Sequence, residues 1–373
     1  METSGTTAQT VIEARAKLAP RRNRGKFRWS LGHILRGALV VALGFVLLGA
    51  AGSLYLYHRL TATVTSFAGP HFNQNQNAVW LEHEWAGQPH SAAEYDTLAA
   101  QLQQERITYV FAHVGPLNSS GDIAPSLAPN ATELAAALHA RLPGIKVLAW
   151  IGQLEAASGQ PADQTVNLAN SRVRAHIEAT ANDFVRAGFD GVHYDIEPIT
   201  NNNAHFLDLL IETRAALPAG AIISVSAEKW APNAHIADIA YSEDRASEWW
   251  TSYYFAAVAA HVDQMAVMTY DSGMPTASGY EIFVQQETKH ILLAVGTASH
   301  PPTVLIGIPT YTGNDAWFHD SAENMRTGLT GVVAGLNSVT DIQPFLGVAI
   351  YRLALTTPTD WQTYDQMWLG SSA

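Results

Sequence analysis

A regular beat of short apolar runs and longer one-sided segments is the feature that most constrains what this chain can become. Runs of four to seven residues, rich in β-branched and aromatic side chains, fall at 78–81, 107–112, 146–150, 191–196, 221–227, 264–269, 303–308 and 346–351. Between them lie the stretches 92–105, 131–141, 173–187, 204–217, 244–260, 281–295 and 324–336, with 361–369 closing the series. In these the apolar residues recur every three or four positions, as a helix with one buried face requires. Ser91, Asn130 and Asn203 stand where N-caps belong, and Gly144, Gly188 and Pro218 stand where helices should stop. Strands alternating with helices make a parallel sheet. Eight such units close a (β/α)8 barrel, which a single domain of this size can accommodate. The alternative, a doubly wound open sheet, lacks a Gly-rich fingerprint after the first strand.

The chain before this pattern has a different character. Residues 37–57 are uncharged and apolar, long enough as a helix (roughly 30 Å) to span a bilayer core. They follow a basic tail, residues 1–36, that carries Arg15, Lys17, Arg21, Arg22, Arg24, Lys26, Arg28 and Arg36 against only Glu2 and Glu13. By the positive-inside rule this tail stays in the cytoplasm, and the body is carried across on a single-pass anchor in the cell membrane. A cleaved signal peptide is the competing reading, since Gly49, Ala50, Ala51 and Gly52 supply small residues for a cut. Either way the body is exported. A polar linker, 58–77, joins it to the barrel domain, 78–373. The formal net charge is −12, and with the basic residues concentrated in the tail, the body is strongly acidic and poorly suited to nucleic acid. The chain has no cysteine, which excludes disulfides and thiolate chemistry. No compact His/Glu ligand set is present, so neither a metal nor another cofactor is expected.

Chemistry concentrates in the fourth run, Gly188-Phe189-Asp190-Gly191-Val192-His193-Tyr194-Asp195-Ile196-Glu197-Pro198. Strand side chains alternate, so His193, Asp195 and Glu197 share one face and Val192, Tyr194 and Ile196 the other. Polar groups crowded at the C-terminal end of a barrel strand are where active sites form. The bland reading is a buried ion pair that only fills the barrel.

This segment resembles the Asp-Gly-x-Asp-x-Asp-x-Glu signature of family 18 glycoside hydrolases at Asp190, Gly191, Asp195 and Glu197, with His193 replacing the central aspartate. The sixth run, ending Met268-Thr269-Tyr270-Asp271, is similar to the family's Met-x-Tyr-Asp, and Gly307-Ile308-Pro309-Thr310-Tyr311 to its Gly-x-Pro-x-Tyr. Of the family's Ser-x-Gly-Gly only Gly152 is kept, and Tyr351 stands where a tryptophan usually underlies the sugar. The resemblance implies an exported hydrolase of β-linked N-acetylglucosamine glycans: chitin, peptidoglycan or the N-glycan core. It implies Glu197 as general acid, Asp195 orienting the substrate's acetamido group, and Tyr270 donating to the acetamido oxygen, with retention of configuration. Asp271, His193, Met268, Tyr311 and the aromatic faces of Trp150 and Tyr351 would bind sugar. His193 breaks the family's proton sharing at this position; a cationic imidazole there would hold Asp195 ionised. The same departure leaves open a non-catalytic glycan-binding protein on the same barrel. Trp85, Trp230 and Trp317 are further aromatic candidates for which core packing is the simpler reading. Trp249 and Trp250 fit a helical pattern, and Glu228-Lys229 is a weaker candidate for substrate contact.

Overall fold

The computed structural model describes residues 69–243, 249–315 and 317–370. The tail and the apolar segment at 37–57 lie outside them. Among the described residues no helix is long and apolar enough to cross a membrane.

Eight parallel strands close a barrel: β1 (Asn77–Leu81), β2 (Ile107–Pro116), β3 (Lys146–Leu154), β4 (Gly191–Glu197), β5 (Ile222–Ala227), β8 (Gln264–Val267), β9 (Thr303–Pro309) and β10 (Phe345–Tyr351). Each strand falls on one of the eight apolar runs of the sequence. Two short strands, β6 (Lys229–Ala231) and β7 (Trp249–Thr251), pair with each other outside the barrel. The helices are α1 (Gly69–Phe72), α2 (Glu84–Gly87), α3 (Ala92–Gln104), α4 (Ala131–Arg141), α5 (Ser171–Arg186), α6 (Ala204–Ala216), α7 (Ala234–Glu243), α8 (Ser252–Ala259), α9 (Ala277–Val295), α10 (Met325–Leu336) and α11 (Pro358–Tyr364).

Alternation along the strands sorts the apolar residues into two cores. Val79, Val110, Val147, Val192 and Tyr194 face the helices, where they pack with Leu98, Leu134, Ile177 and Leu210. Ala78, Trp80, Phe111, Leu148, Trp150, Leu305 and Ala349 fill the interior. Helix starts follow the cap chemistry: Ser91 forms a capping box with Glu94, and Asn203 accepts from the backbone N–H groups of His205 and Phe206. Asn130 does not cap α4 through its side chain.

Two expectations need correction. The stretch 244–260 is not one helix: Trp249–Thr251 pairs with β6, and Thr251 then caps α8 by accepting from Tyr254 N. Trp250 is fully buried, and its indole N–H donates to Ile199 O at 2.6 Å. The polar stretch before β1 is also not all linker. The Gln74 amide donates to Phe345 O at 2.8 Å, and buried Asn77 accepts from Trp368 Nε1 at 2.9 Å.

Several acids are buried in this frame. Glu287 on α9 is 1% exposed and accepts from Trp230 N at 2.7 Å. Burial raises its pKa from 4.5 to about 8, and burial beside Asp365 does the same to Glu105. Because the folded-state pKa is raised, the unfolded chain ionises first as pH climbs. The stability that each protonated acid contributes is therefore whole below about pH 4.5 and gone above about pH 8. We expect the Tm to fall between pH 5 and pH 8 and a Glu287→Gln protein to show a shallower fall by calorimetry; parallel curves would rule out this source.

Candidate active site

β4 carries the site, and its register explains the shape. It pairs with β3 along its whole length, up to Leu154 opposite Glu197, but its pairing with β5 ends at Tyr194 opposite Val225. Asp195 and Glu197 thus lie beyond the last pair that β4 makes with β5, beside a cavity of about 280 Å³ that opens at the C-terminal rim. Its wall is made by Asp195 and Glu197 from β4, Glu228 and Lys229 after β5, Met268, Tyr270 and Asp271 after β8, Asp315 and Trp317 after β9, and Tyr351 at the end of β10.

Glu197 is an acid whose proton is held by its surroundings. Burial raises its pKa well above 4.5, the charges of Asp195 and Glu228 and a hydrogen bond to Asp195 raise it further, and only Lys229 opposes them. Asp195 Oδ2 accepts from the Trp150 indole N–H at 2.7 Å. Its Oδ1 is buried and receives no N–H or alcohol donor. A proton on Glu197 supplies the donor this pair needs, so burial and pairing both favour a neutral acid beside an accepting carboxylate.

Tyr270 is 5% exposed, and burial, then the neighbouring Tyr351, Asp195, Glu197 and Tyr311, push its pKa well above the usual phenol range. It therefore remains an O–H donor. Its ring stacks on Tyr351 at 4.8 Å. Gly307 makes room for it: a Cβ there would lie 2.9 Å from the Tyr270 ring. The Tyr311 hydroxyl donates to Asp271 Oδ1, whose residue adopts a left-handed backbone (φ 51°).

Three sequence expectations change. His193 neither lines the cavity nor becomes a cation. It is fully buried, stacked on Phe111 at 3.8 Å, and its Nε2 accepts from the Trp80 indole N–H at 3.2 Å. An indole N–H can only donate, so Nε2 must be the bare nitrogen. The proton sits on Nδ1, 2.8 Å from Ser224 Oγ, which passes a hydrogen bond to Gln264 Oε1 at 3.0 Å. Burial lowers the imidazole pKa to about 3, so it stays neutral. Trp150, expected as a face for sugar, is instead 7% exposed, packed beside His113, and acts through its N–H on Asp195. Tyr311 stands behind Asp271 instead of on the cavity wall. Met268, Tyr351 and Asp271 do line the cavity.

Asp190, the first residue of the motif, lies at the opposite end of β4. It accepts from Lys146 Nζ at 2.9 Å and Val147 N at 2.9 Å, and it pairs with His139 Nε2 at 2.8 Å. It is a structural clamp between β3, α4 and β4.

The profile of Glycosyl hydrolases family 18 matches residues 82–366, the whole span that builds this cavity. The chain belongs to glycosyl hydrolase family 18. It is a glycosidase with a chitinase-like barrel. Among solved structures it is similar to the Bacillus cereus spore cortex-lytic enzyme SleL, with a TM-score of 0.52 and 14% identity over 79% of this chain and 74% of that one. A chitinase from Chromobacterium violaceum gives a TM-score of 0.48 at 14% identity, over 80% of this chain and 99% of that one. A fungal endo-β-N-acetylglucosaminidase gives 0.48 at 16%, over 79% and 96%. At such identities the likeness to SleL is one of fold. Curated proteins contain no match to the sequence.

Sequence reasoning underrated Glu228, Lys229, Asp315 and Trp317 in this family 18 site. Glu228 and Lys229 are buried, 3% and 4% exposed. The signal available was two charged residues placed directly after a buried strand. Asp315 carried no motif at all.

Proposed function

We propose that this glycosidase hydrolyses β-linked N-acetylglucosamine glycans with retention, using the substrate's own acetamido group as nucleophile. The observation that carries this reading is Glu197 set beside Asp195, its pKa raised by burial and by that carboxylate, in one cavity with Tyr270. In the first step the acetamido oxygen attacks C1 while Glu197 gives its proton to the departing glycosidic oxygen; the C1–O bond breaks and a cyclic oxazolinium ion forms. Asp195, held by Trp150, accepts from the acetamido N–H and stabilises that cation. Tyr270 donates to the acetamido oxygen and sets its line of attack. Water then adds to C1, Glu197 takes up its proton, the ring of the oxazolinium opens, and the β-configured sugar leaves. No second protein carboxylate has to bond to carbon.

On this reading the reaction tolerates His193. The family's central aspartate shares protons with the middle carboxylate; here Trp150 provides a permanent donor to Asp195 from the neighbouring strand, and the imidazole stays neutral in the interior. We further infer that the body works outside the cytoplasmic membrane. The uncharged segment 37–57 behind a basic tail supports an anchor, with the acidic body on the far side.

The reading is tested with the full-length chain on paired chromogenic chitobiosides and cellobiosides. Release from the acetamido sugars alone, blocked by a thiazoline analogue of the oxazolinium ion, is the expected result. Equal cleavage of both would remove the acetamido group from the mechanism. Glycan binding without release from either would return the protein to the glycan-binding reading.

A further inference from the structure

The loop after β8 places Tyr270 and Asp271 on the cavity wall, and a side chain from a distant part of the chain holds that loop. Glu323, directly before the cap of α10, is fully buried. Its Oε1 accepts from both donors of Ser272, the backbone N–H at 3.0 Å and the hydroxyl at 2.5 Å. The Ser272 hydroxyl oxygen accepts in turn from Met274 N at 3.2 Å. The grip has a firm base. Glu323 N donates to His319 O at 2.7 Å, and the next residue, Asn324, forms a capping box with Thr327 at the start of α10.

Asp271 needs such a hold. Its backbone is left-handed, with φ 51°, a conformation that a residue with a Cβ keeps only when its surroundings over-determine it. The Tyr311 hydroxyl restrains the Asp271 carboxylate, and Glu323 restrains the peptide that joins Asp271 to Ser272. Tyr270 comes directly before, so a shift of this peptide moves both groups. Stability alone gives no reason for an acid at position 323. Its Oε2 is buried and has no hydrogen-bond partner, and an unpaired buried oxygen costs free energy that an apolar side chain would avoid.

We propose that Glu323 is a positioning residue of the active site: by gripping Ser272 it holds Asp271 in its left-handed conformation and keeps the Tyr270 hydroxyl in line with the group it meets. The proposal rests on the acetamido reading for what Tyr270 meets, and on the geometry alone for the grip.

The test uses the full-length chain as wild type, Glu323→Leu, Glu323→Gln and Ser272→Ala. Two quantities are read: kcat and KM on a chromogenic chitobioside, and amide hydrogen exchange over residues 270–274. Glutamine keeps an acceptor oxygen for Ser272, and leucine does not. We expect Glu323→Leu to lose about 30- to 100-fold in kcat, the scale on which small misplacements at a reacting centre act. Its KM should stay within about fivefold of wild type, and exchange over 270–274 should quicken. Glu323→Gln should recover kcat to within about threefold of wild type, and the slow exchange with it. Wild-type kcat in Glu323→Leu, or a Glu323→Gln enzyme equally slow, overturns the proposal. Should leucine prevent folding, Ser272→Ala decides: a lower kcat with faster exchange at an unchanged Tm supports the grip, and wild-type values of both reject it. A wild type that releases nothing from the chitobioside fails the acetamido reading instead. Exchange over 270–274 then still decides the grip, which is supported if only Glu323→Leu quickens and rejected if wild type and both Glu323 variants exchange alike.

Discussion

A Glu197→Gln enzyme is expected to turn over chromogenic chitobiosides about a thousandfold more slowly than wild type, within the usual range for loss of a general acid. Glutamine keeps the shape of the side chain and can still donate to Asp195, so the cavity should persist and KM should change by less than about threefold. The contrast between the two parameters is informative. Burial and the adjoining carboxylates keep Glu197 protonated well above the ordinary carboxyl range, so wild-type activity should hold through neutral pH and decline on the alkaline side as that proton is lost. The residual activity of the glutamine protein should lack this limb. A variant within tenfold of wild type would place the acid elsewhere in the cavity.

Trp150→Phe is the second large expected effect. Phenylalanine retains a ring beside His113 but removes the N–H that Asp195 Oδ2 accepts at 2.7 Å. A hydrogen bond to a charged group contributes on the order of 1.5–3 kcal/mol; lost from the transition state, it lowers kcat by about 10- to 100-fold. The Tm should move little. A stacking role for Trp150 would instead raise KM and spare kcat, so the split between them separates positioning from sugar contact.

How much of this was legible in advance varies with the range of the interaction. The eight strands came from local alternation, and the inward face shared by Asp195 and Glu197 followed from period two alone. What failed depended on partners far off in the chain. The protonation of His193 is decided by Trp80, 113 positions away, whose N–H blocks one imidazole nitrogen. Trp150 and Asp195, 45 positions apart, read as a sugar face and a carboxylate that orients the substrate, with no link between them until the strand register put one against the other. Residues 249–251 carried a helical spacing, but bulky Trp249 and Trp250 before a capping threonine suit a strand equally well, and pairing with Lys229–Ala231 settled it. Trp317 was ambiguous because exposure is a property of the turn, and the turn is set by Asp315, whose carboxylate accepts from Trp317 N and Phe318 N.

The two ends of β4 have unlike duties: Asp190 is clamped to Lys146, His139 and Val147 below, and Glu197 stands at the rim above. An extended segment advances about 3.3 Å per residue, so the height of the acid over the barrel floor is set by counting residues from that clamp. Substitutions can be absorbed along this ruler, but a change in its length cannot. One residue added or removed between Asp190 and Glu197 would turn every later side chain to the opposite face and send the acid into the helical layer. Variation in such an enzyme should therefore accumulate in the identities along this strand and in the lengths of the loops around it, never in the strand's own length.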